Sequence, residues 1–272
     1  MKWPCLFGGM LICLSAALPA HAQGLVWSLP EDGDWVRYEG TYSQLVRRPN
    51  SPQGDLQLEW RRYLTIKSVG EEMAEYNGEM QPCRWLEFKT ETGKTTEGVL
   101  DAGPGGIRMY KVLVPESAIR GTVNEPVGDG RELFVSYLPV VKGYRRLGDE
   151  PAQEMESGVF QIYPLVSLMR HYRNLAPEGD QLSVSVPAGD VQAQLYKGDL
   201  TMETTSRRSS NSCDLYRSDE IPFGVARWEA TTTAETKGTI DLRSAFEEAV
   251  VLKESMQAVS TGTDAESDFL IE

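Results

Sequence analysis

Between residues 56 and 69 the chain alternates apolar and polar side chains with a period of two, a pattern that fits a sheet with one face buried and one in water. Leu56, Leu58, Trp60, Arg62, Leu64, Ile66 and Ser68 share one face, and Gln57, Glu59, Arg61, Tyr63, Thr65 and Lys67 share the other. Arg62 is the one charge on the apolar side. Residues 35–42 carry the same aromatic and β-branched character without helical spacing. Asn77-Gly78 marks a hairpin turn, and strands resume at Trp85 to Phe88 and at Gly106 to Val114. The first half therefore reads as a meander of long antiparallel strands.

The middle of the chain changes character. Asp129 is placed to cap a short helix over Arg131 to Leu138 that Pro139 would end. Behind Pro164, the spacing of Leu165, Leu168, Met169 and Tyr172 predicts an amphipathic helix, with Arg170, His171 and Arg173 near its C-terminal end and Pro177 as its stop. Strands return at 182–186, 191–196 and 200–205, and Ile221-Pro222-Phe223-Gly224 reads as a turn feeding a strand through Glu229. Asp241 to Glu248 suggests a short helix. Val250, Leu252, Met256 and Ala258 fit strand and helix alike, and residues 261–268 are polar and loop-like.

Residues 1–22 have the build of an export signal: Lys2, an apolar run from Leu6 to Leu18, and Ala20-His21-Ala22 as the cleavage site before Gln23. The run is too short to span a bilayer, and Met10, Leu11 and Ile12 before Cys13 do not make a lipidation motif. The expectation is a periplasmic or extracellular protein whose residues 23–272 form one domain. Cleavage removes one basic residue and no acidic one, moving the formal charge from −13 to −14. That excess excludes nucleic acid as a natural partner, because phosphate affinity comes from Lys and Arg. No later segment is long and apolar enough to span a membrane.

Two cysteines, Cys83 and Cys213, remain after the signal. In an oxidising compartment they invite a disulfide closing a loop of about 130 residues, worth roughly 4 to 5 kcal/mol if unstrained; two unlinked buried thiols are the alternative. Catalytic and cofactor motifs are missing, so no catalytic, cofactor or metal residues are assigned. His171 is the only histidine outside the signal, which removes the usual zinc sites, and it sits among Arg170, Tyr172 and Arg173 as a helix-end histidine would. Gly103, Gly105 and Gly106 begin like a dinucleotide loop, but Arg108 stands where the third glycine belongs. The acidic clusters Glu31-Asp32-Gly33-Asp34 and Asp264, Glu266, Asp268 do not follow the EF-hand pattern. Trp60, Trp85 and Trp228 sit in strand patterns, where core packing is their ordinary role.

Strands, a few helices and strands again predict an α+β fold: a mainly antiparallel, strongly curved sheet or incomplete barrel with a few helices packed on one face. The long amphipathic strands, the helix inserted midway and the Pro222-Phe223-Gly224 turn before a late strand resemble the lipoprotein-carrier (LolA-like) superfamily across most of residues 34–260. The resemblance implies an apolar cavity and a lipid-like ligand, and it carries over no individual residue. The expected function is thus an exported, non-enzymatic envelope protein with an apolar small molecule or an envelope protein as partner. The alternatives are a secreted carboxylate-dependent hydrolase of glycans and a structural or protein-interaction module.

Overall fold

The computed structural model describes residues 24–269, apart from 94, 97–98, 101–105, 119–120, 128–130, 157, 161–162, 171 and 173–175. Residues 1–22, read above as an export signal, and His171 lie outside the described residues. The alternation of residues 56–69 becomes the start of β2 (Leu56–Tyr76), flanked by β1 (Trp35–Val46) and β3 (Glu79–Gly93). Asn77 and Gly78 both take positive φ, 55° and 82°, the pair of values a two-residue hairpin turn requires. Beyond the small β4 (Thr95–Thr96) and β5 (Val99–Leu100) comes β6 (Ile107–Pro115).

The middle region holds β7 (Gly121–Val127), β8 (Arg131–Val140), β9 (Lys142–Leu147), β10 (Gln153–Met155) and β11 (Gly158–Phe160). The second half runs through β12 (Ala176–Val186), β13 (Gly189–Glu203), β14 (Arg207–Arg217), β15 (Val225–Thr236) and β16 (Glu247–Gly262). Eleven strands form one antiparallel sheet in the order β10-β9-β6-β3-β2-β1-β16-β15-β14-β13-β12, and β11-β8-β7 form a small second sheet. The first and last long strands pair at the centre, with Tyr38 opposite Ala258 and Tyr42 opposite Glu254. The large sheet is curled but not closed: the turn after β12 reaches across to β16, where the amide of Ala188 donates to the carbonyl of Ala258 at 3.2 Å.

The α+β expectation is overturned, since the protein is almost all antiparallel strand and has no helix of seven residues or more among those described. Arg131–Val140 is a strand that places Pro139 opposite Val159 of β11; Phe134, Val135 and Tyr137 are strand formers, and strand pairing outweighs the reading of Pro139 as a helix stop. The amphipathic segment behind Pro164 makes one helical turn, Tyr163–Val166. The expected helix over 241–248 is a 3₁₀ turn at Arg243–Ala245, after which β16 begins and takes residues 249–260 as strand.

The inward face carries one apolar core. Val36 and Tyr38 of β1, Leu64 and Ile66 of β2, Leu86 and Phe88 of β3, and Leu215 and Trp228 of β14 and β15 belong to it. Leu25, Val26 and Trp27, just before the first strand, are buried in the same cluster. The amide of Trp27 donates to the carbonyl of Phe223 at 2.8 Å, and the left-handed backbone of Gly224 (φ 89°) lets the indole pass where a Cβ would lie 2.7 Å from Trp27 Cβ.

The outward face of β1, β2, β3, β6 and β9 is crossed by the C-terminal segment 263–269. It contacts each strand in turn: Trp35 Nε1 donates to Asp264 Oδ1 at 2.9 Å, Lys67 pairs with Asp268 at 2.7 Å, and the amide of Asp268 donates to Glu87 Oε2 at 3.0 Å. Lys111 Nζ donates to Ser267 Oγ at 2.6 Å, and Phe269, 2% exposed, lies beside Tyr144 and under Arg146.

Candidate functional site: the inward face and the segment across it

Residues 165–170 and Tyr172 lie against the concave side of the sheet, with Val166, Leu168 and Met169 buried in the core. Apolar burial, which the 165/168/169/172 spacing anticipates, is present; the helix is not. The reason lies in the backbone. In a helix these amides and carbonyls would bond to each other four residues apart, whereas here side chains of the sheet take them.

Arg62 Nη2 donates to the carbonyl of Val166 at 3.0 Å, and Thr90 Oγ1 donates to the same oxygen at 3.4 Å. The amide of Leu168 donates to Glu254 Oε2, and the carbonyl of Leu168 accepts from Asn211 Nδ2 at 3.0 Å. Asn211 also donates to Thr232 Oγ1 at 2.7 Å and accepts from the hydroxyl of Tyr172. Side chains of β2, β3, β14 and β16 thus grip one irregular segment, and Arg108 of β6 reaches its Leu165 carbonyl at 3.5 Å.

Two of those side chains are charged. Arg62 and Glu254 are both buried and approach each other, Nε to Oε1, at 3.6 Å. The Arg62 guanidinium also lies 5.1 Å from the ring centre of Tyr42. Burial raises the carboxyl of Glu254 above its ordinary value, against the lowering effects of Arg62 and the Leu168 amide. Burial likewise pushes the Cys213 thiol up to about 12, so it is a protonated, unreactive group beside Tyr172.

Cys83 and Cys213, joined in the sequence reading, are both free and buried. Four strands separate β3 from β14 in the sheet. By strand alternation Cys83 shares the outward face with Trp85 and Glu87, and Cys213 shares the inward face with Leu215. The two thiols do not stand on neighbouring elements.

The other residues singled out by sequence have structural partners. Trp228 packs in the core edge-on to Tyr38, 4.9 Å between ring centres, and Trp60 is half-buried 6.0 Å from Tyr42. Trp85 lies on the outward face, stacked on Tyr144, with Nε1 donating to Glu72. Asp32 accepts from the amide of Gly70 at 2.6 Å, and Asp34 accepts from the amide of Glu31 at 3.1 Å, so the first acidic cluster holds turns. Asp264 and Asp268 secure the C-terminal segment. Among the described residues no group of three or more His, Cys, Asp or Glu is arranged to hold a metal ion. Gly103 and Gly105 lie outside the described residues, and Arg108 sits on β6 with Nη1 3.5 Å from the carbonyl of Leu165.

Two open grooves flank the C-terminal segment on the outward face. One, of about 590 Å³, is lined by Ile107, Met109, Arg146 and the 148–152 turn; the other, of about 290 Å³, by Trp35, Arg37, Lys67 and Asp264. Lys89 borders both.

The polar grip on residues 165–172 escapes a reading of the sequence, although each charge leaves a trace. Arg62 interrupts an apolar strand face, and Glu254 does the same between Leu252 and Met256. A charge at an inward position of an amphipathic strand is the signal, and pairing the two needs the β1–β16 register.

The chain matches no protein-family model and no curated protein. Among the described residues no helix is long and apolar enough to cross a membrane.

Proposed function

We propose that the protein is an exported, non-enzymatic receptor or carrier of an apolar, lipid-like molecule in the cell envelope, with the concave face of the eleven-stranded sheet as the receptacle. One observation carries this reading. The segment over the concave face is attached through individual side chains of the sheet, Arg62, Thr90, Asn211 and Glu254, and not through strand pairing. Such a segment can give way without unzipping a ladder, and an apolar ligand would take over its contacts with the core.

The long amphipathic strands and the Pro222-Phe223-Gly224 turn, which the protein shares with lipoprotein carriers although the midway helix is missing, point to the same chemistry, and so does the export signal read in residues 1–22. Catalysis fits less well: the inward thiol is held protonated, and the inward carboxylate is committed to Arg62 and the Leu168 amide.

The test is to purify the exported protein natively and compare native with denaturing mass spectra, then to titrate it with an apolar fluorescent dye and compete with a fatty acid and a phospholipid. A released lipid-sized mass, or saturable dye binding displaced by the lipid, supports the proposal. A clean apo mass together with no dye binding sinks it.

A further inference from the structure

Four described loops lie at one end of the large sheet, because β1, β9, β13 and β15 all end there and β2, β10, β14 and β16 all begin there. They span residues 47–55, 148–152, 204–206 and 237–246. The last of them displays Ile240, 97% exposed, and Leu242, 79% exposed, and the neighbouring hairpin adds Met202 at 54%. No other large apolar side chain among the described residues is as exposed as Ile240 or Leu242.

The loop is built, not loose. Lys237 Nζ donates to the carbonyls of Gly238 and Asp241 at 3.1 and 3.0 Å, the amide of Gly238 donates to Asp241 Oδ2 at 3.0 Å, and the amide of Ala245 donates to the carbonyl of Leu242 at 2.9 Å. Arg243 forks onto Glu203 of β13 with both contacts at 2.9 Å. Phe246 is pinned under Arg208, 4.6 Å from the ring centre, and under Lys237 at 5.4 Å. A hydrogen-bonded frame thus holds two aliphatic side chains out in water, where each is disfavoured.

We propose that this loop seats the protein on a phospholipid bilayer, with Ile240 and Leu242 inserted at the interface. At 97% and 79% exposed, the two side chains stand clear of their neighbours. Charge agrees with that choice. The chain carries a net charge of −13, yet the stretches 47–55, 203–208 and 235–248 hold six basic and six acidic residues, so the loops around the apolar tip escape the repulsion that phosphate headgroups exert on the remainder, whereas the 148–152 turn carries Asp149 and Glu150. Lys237 and Arg243 flank the apolar tip at headgroup height, where cations beside inserted aliphatic groups are stable.

The inference does not require the carrier reading, and the experiment separates them. Mature protein is floated with vesicles of zwitterionic phospholipid, alongside I240S/L242S, and its bound lipid is measured separately. The expected result is co-flotation of the wild type, and an affinity at least about a hundredfold lower for the double variant, about tenfold for each side chain withdrawn from the interface. A T239C variant carrying an environment-sensitive fluorophore shifts to the blue on the same vesicles. Because both apolar side chains are exposed, the double variant keeps the parent far-UV spectrum and melting temperature. A wild type that stays with the soluble fraction overturns the inference, as does a double variant that floats equally well. A protein that carries lipid yet ignores vesicles refutes the bilayer contact alone; one that binds vesicles but holds no apolar ligand refutes the carrier reading alone.

Discussion

Arg62 on β2 and Glu254 on β16 meet across the intervening β1, Nε to Oε1 at 3.6 Å, with both side chains shut off from solvent. Each also holds the backbone of the segment on the concave face, Arg62 through the Val166 carbonyl and Glu254 through the Leu168 amide. The pair is therefore a joint between three strands and a covering segment.

Removing one partner leaves the other charge buried alone. R62M is expected to lose about 3 to 5 kcal/mol of unfolding free energy, and R62M/E254M to recover much of that loss. Urea denaturation of the two single variants and the double variant measures the coupling; additive losses would show that the two charges do not depend on each other.

The pH dependence follows from the raised carboxyl of Glu254. The folded state binds this proton more tightly than the unfolded state, so the stability it contributes is fully present below the unfolded value and is lost as pH rises through the folded one. Asp55, Glu203 and Glu235 are held low by their hydrogen bonds and contribute with the opposite sign. The difference between wild type and E254Q isolates the buried group: relative to the variant, wild type should weaken as pH climbs from the acid side through the raised value. Denaturation midpoints at a series of pH values test this, and a difference that grows in the other direction refutes it.

Both cysteines are expected to be reduced. Denatured protein treated with an alkylating reagent should gain an adduct at each of Cys83 and Cys213, and folded protein should react slowly at either site, since both thiols are buried and Cys213 is pushed up to about 12. A mass lighter by two hydrogens that takes up no reagent would place a bridge where the structure has none.

Gly40 has no room to grow. A Cβ there would lie 1.8 Å from the carbonyl oxygen of Ser255 and 2.8 Å from the sulfur of Met256, on the central pair of strands. G40A should cost more than about 4 kcal/mol, at the far end of what single substitutions do. Its yield and melting temperature, set against those of wild type, decide the matter.

On the outward face, F269A should cost about 3 kcal/mol, because Phe269 is buried beside Tyr144 and Arg146. The same change frees the end of the C-terminal segment beside the Trp85–Tyr144 stack, so a red shift of tryptophan emission should accompany the lower melting temperature.

The strands of the first half were legible because their cause is local: residues 56–69 alternate, and Asn77-Gly78 allows little besides a hairpin. The middle was misread because its cause is not local. Leu165, Leu168, Met169 and Tyr172 have a helical rhythm, but Glu254 and Asn211, many residues later in the chain, claim the backbone groups a helix would use. β14 went unread because Arg207 to Asn211 is polar, and only its neighbours β13 and β15 make it a strand. The cysteine pairing failed on sheet order, since no spacing along the chain reports how many strands lie between two positions or which face each takes. The loop tip is the opposite case: Ile240 and Leu242 look like ordinary apolar residues until the fold leaves them outside.

The central seam of the sheet joins β1 to β16, with Val36 opposite Thr261. A ribosome must finish nearly the whole chain before this seam can zip, and contacts so distant in sequence form slowly. Under the export we propose, where the polypeptide would thread a translocation pore as an extended strand, that delay would keep the sheet from completing itself on the wrong side of the membrane.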